Sequence, residues 1–249
     1  MKPSEGCAQP AKQEFGKWVR NTLMLQGVRR EYFVYLPPSY KPDAMKPYRL
    51  IFSHTGCGSK GDYALKLFDA PGADAIVVGP TPAGKCFEYT AESKDVMFFD
   101  ELVKVMSANF CVDQNRIFAA GMSSGSWFNN VLACTRSNVL RAHGNIAGCW
   151  PDNNRLDPAI CLKQNIAGMF IHDEDDMTNP LACDVVARDR LLKLNGCSTD
   201  TKPIAPSPCV EYQGCKSGYP VILCQTKGQG HTRQESLSIP GFYNFFAQF

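Results

Sequence analysis

Between residues 116 and 134 the chain makes a transition that few folds can accommodate. The strand-like run Arg116-Ile117-Phe118-Ala119-Ala120 leads directly into Gly121-Met122-Ser123-Ser124-Gly125, and Trp127, Val131 and Cys134 then recur at helical steps. This order reads as strand, tight turn, helix. A turn that sharp leaves no room for side chains at its flanks, which explains glycine at 121 and 125. It lifts the Ser123 Oγ above a sheet edge and sets the Ser124 N–H at a helix N-terminus, where backbone donors lack partners. Ser123 is therefore a candidate nucleophile, and the Ser124 N–H a candidate donor to an oxyanion.

The rest of the chain supplies elements that suit such a turn. Residues 30–36, 49–53, 75–78, 168–171 and 220–223 are short apolar or β-branched runs bounded by Pro or Gly, the pattern of strands covered on both faces. Helical spacing lies between them. Val96, Phe99, Val103, Met106 and Phe110 follow Ser93, a plausible N-cap, and Val186, Leu191 and Leu192 mark a further helix. Strands alternating with helices predict an α/β fold with a mostly parallel central sheet and helices on both faces. No repeat or low-complexity linker divides the 249 residues, so a single domain over 1–249 is expected.

Twelve cysteines, none in C-x-x-C, accompany only four histidines, and no zinc-ligand spacing emerges. An even count without metal motifs predicts up to six disulfides and an oxidising, extracellular setting; the sequence does not fix the pairing. The cysteine-bearing stretches 149–161 and 197–224 read as stapled surface loops. Met1 through Cys7 lacks the apolar core of a signal peptide, so the chain is read as a mature form whose leader is gone. With 26 Lys plus Arg against 24 Asp plus Glu and no basic block, the field a nucleic-acid binder uses is missing. The apolar runs fall far short of the ~20 residues that a membrane span needs. Neither nucleic acid nor membrane is an expected partner, and a monomer is expected.

A serine hydroxyl needs a base. In folds with this kind of turn the chain order is serine, acid, histidine, and of four histidines only His231 follows a plausible acid segment. It lies in Gly228-Gln229-Gly230-His231, just beyond the last strand. The acid segment is Asp173-Glu174-Asp175-Asp176, four carboxylates in one run after the strand that ends near His172. Charges so close cannot all be buried beside one imidazole, so one is expected to turn inward while the others face water. The loop His54-Thr55-Gly56-Cys57-Gly58 follows an early strand, making the Thr55 N–H the candidate second oxyanion donor; His54 is expected to hold a structural hydrogen bond.

Together these stretches resemble carbohydrate esterase family 1, especially secreted feruloyl esterases of the fungal type-C kind and their polyhydroxybutyrate-depolymerase-like relatives. The most specific parts are Cys111-Val112-Asp113-Gln114-Asn115-Arg116 leading into the Ser123 turn, His172-x-x-x-Asp176, Asn195-Gly196-Cys197 and Gly230-His231; the likeness runs from Cys7 to Phe246. The resemblance implies an α/β-hydrolase fold and a catalytic triad of Ser123, Asp176 and His231. It makes Asp176 the acid, four residues after His172; Asp173 and Glu174 follow the strand end so closely that they are expected to help form the turn. Two positions depart from the family pattern. Thr55 intervenes between His54 and Gly56, and Asp173 follows His172 where a glycine is usual.

The activity implied is that of a secreted serine carboxylesterase on hydroxycinnamoyl esters of plant cell-wall polysaccharide, without metal or organic cofactor. Trp127, Trp150, Phe87 and Tyr89 are candidates to line an aromatic acyl site. The enzymatic alternative is a short-chain hydroxyalkanoate or acetyl-xylan esterase. The alternative of another class is a catalytically inactive polysaccharide-binding module, against which the retention of all three triad residue types argues.

Overall fold

A computed structural model describes residues 1–152, 155–161 and 164–249. Residues 153, 154, 162 and 163 lie outside that description, so the loop expected over 149–161 is seen only in part.

The predicted strands form the middle of one ten-stranded sheet. In chain order its strands are β1 (Trp18–Leu25), β2 (Val28–Tyr35), β3 (Tyr48–His54), β4 (Ile76–Pro80) and β5 (Val112–Met122), then β6 (Ala142–Ile146), β7 (Ala167–Asp173), β8 (Thr201–Pro203), β9 (Cys209–Tyr212) and β10 (Val221–Thr226). Their order across the sheet is β1-β2-β4-β3-β5-β6-β7-β10-β9-β8. From β4 to β10 every neighbour runs parallel, and antiparallel strands close both ends. Parallel strands leave their C-terminal ends on a single edge, where loops from several strands can converge.

Among the described residues four α-helices cover the sheet: α1 (Lys94–Asn109), α2 (Ser124–Thr135), α3 (Leu181–Asn195) and α4 (Glu235–Ala247). Ser93 caps α1, its Oγ accepting from the Val96 N–H at 3.2 Å. On one face Val96, Phe99, Phe128, Val131 and Leu191 pack with Leu50, Phe52 and Ile117; on the other Phe242 and Phe246 of α4 pack with Ile51, Val77 and Phe118. Alternate residues of each central strand thus feed opposite cores, and so these strands read as continuous apolar runs. The structure is an α/β-hydrolase fold.

All twelve cysteines are paired: Cys7–Cys111, Cys57–Cys86, Cys134–Cys161, Cys149–Cys183, Cys197–Cys215 and Cys209–Cys224. Cys149–Cys183 ties the loop after β6 to α3, and Cys134–Cys161 ties the next stretch to α2. The 197–224 stretch is more ordered than a stapled loop. It contributes β8 and β9, and β10 begins within it, with Cys209 of β9 paired to Cys224 of β10. Among the described residues no helix is long and apolar enough to cross a membrane.

Candidate active site

Ser123 follows β5, Asp176 lies three residues beyond β7, His231 five beyond β10 and Thr55 one beyond β3. The parallel sheet brings all four to its C-terminal edge. The Ser123 backbone sits at φ 54°, ψ −119°, a left-handed conformation that a non-glycine residue adopts only under constraint. The constraint is visible. The Ser123 N–H donates to the Ile146 carbonyl at 2.9 Å, and the Ser126 Oγ bonds both the Gly121 and Ile146 carbonyls at 2.7 and 2.8 Å. A Cβ at Gly125 would fall 2.3 Å from the His54 carbonyl oxygen, and one at Gly121 2.7 Å from the Gly125 carbonyl carbon. Both glycines are required by close approach, as the turn argument expected.

From that turn a chain of hydrogen bonds runs back across the sheet edge. The Ser123 Oγ lies 2.9 Å from His231 Nε2, and His231 Nδ1 lies 2.7 Å from Asp176 Oδ2. A ring nitrogen facing a carboxylate carries the proton, so Nδ1 donates and Nε2 is left to accept from the serine hydroxyl. Asp176 is buried, and its second oxygen accepts from the N–H groups of Thr178 and Asn179 at 2.8 and 2.9 Å.

Beneath Asp176 lies a second histidine. His172 Nε2 donates to the Asn179 carbonyl at 2.8 Å, Nδ1 faces Asp184 Oδ2 at 3.0 Å, and Nε2 also lies 3.6 Å from Asp176 Oδ2. Burial works to lower the His172 pKa, but the hydrogen bond and charge of Asp184 prevail and raise it. Both ring nitrogens face acceptors, an arrangement that matches a ring carrying a proton on each. Asp184 comes from the first turn of α3, and nothing in the sequence marks it as a partner of His172.

The acidic run departs from the expectation that one carboxylate alone turns inward. Asp173 and Asp176 are both buried, and Glu174 and Asp175 face water. Asp173 tolerates burial because it faces donors on all sides. It accepts from the Gln229 and Gly230 N–H groups at 3.0 Å each, from the Thr226 Oγ at 2.8 Å and from the Asp175 N–H at 3.0 Å. Burial pushes its pKa up, yet these donors hold it below the ordinary aspartate value. Asp175 accepts from the Gly228 N–H at 2.9 Å. Three consecutive N–H groups leading into His231 are thus held by two carboxylates of the run.

Around Ser123 a cleft of about 950 Å³ is lined by Thr55, Tyr63, Tyr89, Trp127 and Arg233, among others. Thr55 and Ser124 border it, and Ser124 is the first residue of α2. The Ser124 side chain accepts from the Phe87 N–H at 2.9 Å and from the Tyr89 hydroxyl at 3.0 Å. Of the four aromatic candidates only Tyr89 and Trp127, ring centres 5.1 Å apart, face the cleft. Phe87 is buried against Phe128 and His54, and so belongs to the core below. Trp150 lines a separate cavity of about 600 Å³ between α2 and α3, with the Arg190 guanidinium 4.5 Å from its ring. The disulfide Cys149–Cys183 holds Trp150 toward α3, away from the cleft. His54 donates from Nδ1 to Asn129 Oδ1 at 2.7 Å, and burial lowers its pKa to about 4, so it is a neutral structural group.

No family model matches the chain. Feruloyl esterase D of Neurospora crassa is 29% identical over 98% of this chain and 87% of its own length. Feruloyl esterase C of Emericella nidulans is 33% identical over 81% of this chain and 76% of its own. Among solved structures, an acetyl xylan esterase from Aspergillus awamori superposes with a TM-score of 0.69 at 14% identity, covering 90% of this chain and 99% of that one. A ferulic acid esterase from Anaeromyces mucronatus, solved in complex with ferulic acid, gives 0.64 at 15% identity over 97% and 93%. These two likenesses show the fold; the sequence relatives show more, and on their evidence the chain belongs to the feruloyl esterases, a family of carboxylic ester hydrolases.

Proposed function

We propose that the protein is a secreted serine esterase that releases hydroxycinnamic acids from plant cell-wall polysaccharide. The observation that carries the mechanism is the unbroken chain from Ser123 Oγ to His231 at 2.9 Å and on to Asp176 at 2.7 Å, opening on a cleft. His231 Nε2 takes the serine proton as Ser123 Oγ attacks the ester carbonyl. The Ser124 and Thr55 N–H groups receive the developing oxyanion, and Asp176 holds the His231 tautomer and stabilises its cation. His231 then protonates the leaving alcohol, and a water activated by the same ring releases the acid. The Tyr89–Trp127 pair gives the acyl group an aromatic wall. Six disulfides support an oxidising, extracellular site of action.

The test is a substrate panel of methyl ferulate, feruloylated arabinoxylan oligosaccharide, acetylated xylan, polyhydroxybutyrate and short p-nitrophenyl esters. The feruloyl substrates should be hydrolysed with the highest kcat/KM once leaving-group reactivity is allowed for. Turnover of aliphatic esters alone would give the acetyl or hydroxyalkanoate reading instead, and turnover of none would leave a binding module.

A further inference from the structure

The cleft is at the upper end of the size range of small-molecule sites, and it holds two separate aromatic groups. Tyr89 and Trp127 stand on the side of α2. Tyr63 belongs to the short 3-10 helix Gly61–Tyr63 and leaves 60% of its surface open. The guanidinium of Arg233 lies 4.7 Å from the Tyr63 ring centre. Arg233 Nη2 is in turn fixed by the Ala64 carbonyl and by Glu235 Oε1, both at 3.0 Å.

Ester chemistry distinguishes the two sides. The carbonyl oxygen must point at the Ser124 and Thr55 N–H groups, and the leaving oxygen must come within hydrogen-bond reach of His231 Nε2 to be protonated. Arg233 is two residues beyond His231 on the same stretch, and it is the residue that holds Tyr63. Tyr89 instead bonds the Ser124 Oγ, at the start of the helix that bears the oxyanion donor. From this we infer that Tyr63, Arg233 and Glu235 form the subsite for the alcohol half of the ester, a sugar residue of a polysaccharide; the inference rests on the esterase reading above. A sugar ring presents an apolar C–H face and a rim of hydroxyls. The open tyrosine ring matches the face, and a guanidinium beside a carboxylate matches neighbouring hydroxyls that accept from one and donate to the other.

The platform is built to stay in place. Cys57–Cys86 and a 2.6 Å bond from the Gly58 N–H to the Lys85 carbonyl staple the loop before Tyr63. The Gly61 N–H donates to the Thr81 Oγ at 3.0 Å, and a Cβ at Gly61 would fall 1.9 Å from the Gly79 oxygen. A recognition surface held this firmly gives up little entropy on binding.

The experiment compares kcat/KM on a feruloylated arabino-oligosaccharide with that on methyl ferulate, whose leaving group is too small to span the cleft. Tyr63→Ala should lower the oligosaccharide-to-methyl ratio by about tenfold or more, chiefly through KM, and Tyr63→Trp should restore it. Trp127→Ala should lower both substrates alike. A ratio that stays within about twofold in Tyr63→Ala, whether both rates fall or neither does, overturns the subsite. If the wild type hydrolyses neither feruloyl ester, the feruloyl reading fails separately. The same ratio is then read on acetylated xylo-oligosaccharide against methyl acetate, where the subsite predicts the same change.

Discussion

The serine turn and the histidine loop meet at a single hydrogen bond, yet they are built in opposite ways. Ser123 is fixed by groups close by in sequence: Gly121, Gly125, Ser126 and, at the end of the adjacent strand, Ile146. His231 is fixed by groups far away. Its loop hangs on Asp173 and Asp175, and its ring on Asp176, each more than fifty residues back along the chain. The first region stores strain in one backbone angle and offsets it locally. The second distributes its hold over side-chain carboxylates that reach across from β7 to the loop after β10. Local geometry leaves a motif in the sequence; a hold of the second kind leaves only residues whose partners are out of view.

Substitutions on either side of that hydrogen bond test the contrast. The largest effect is expected from Ser123→Ala or His231→Ala, each lowering kcat by roughly 10⁵–10⁶. The double variant should be no worse than either alone, because the two groups act as one unit, and steady-state kinetics showing additive losses would separate them. Next comes Asp176→Asn, with a kcat loss of about 10³–10⁴, the scale of losing the partner that fixes the histidine tautomer. Asp173→Asn should follow at roughly 10–100-fold in kcat with KM nearly unchanged, because an amide turns an N–H₂ toward donors that now bond a carboxylate. A loss in Asp173→Asn as small as that of an exposed acid would show that the loop is held without it. Glu174→Gln and Asp175→Asn should stay within about tenfold.

The smallest effect is on acid stability. Asp173 has its folded pKa depressed, so it stabilises the protein above the ordinary aspartate pKa and loses that contribution as pH falls toward the depressed value. Thermal unfolding of Asp173→Asn should therefore depend less steeply on pH than that of the wild type below about pH 4. Parallel curves would mean that Asp173 binds its proton equally in both states.

The same contrast decides what could be read from the sequence. Strands β2, β3, β4, β5, β7 and β10 were visible because burial on both faces makes them continuous apolar runs. Helices α1, α2 and α3 showed their spacing. Strand β6, Ala142-His143-Gly144-Asn145-Ile146, gave no such signal, because two of its five buried residues, His143 and Asn145, carry polar side chains, the Asn145 Nδ2 donating to Asn130 Oδ1. Strands β1, β8 and β9 lie toward the sheet ends, where burial is one-sided, and α4 carries Pro240 inside it. Within the site, Ser123 and His231 follow from motif and chain order, and Asp176 from a family spacing. The roles of Asp173 and of the His172–Asp184 pair depend on where β7, α3 and the last loop lie relative to one another, which no local pattern encodes. Cysteine pairing is of the same kind, and so is the parting of Trp127 from Trp150.

Activation of Ser123 by His231 would take place where these two regions meet. It is tested most directly by treating the native protein with a fluorophosphonate and mapping the modified peptide by mass spectrometry. One label per chain is expected, on Ser123, formed rapidly in the wild type and slowed by orders of magnitude in His231→Ala. A label on another residue, or equal labelling of Ser123 with and without His231, would contradict it.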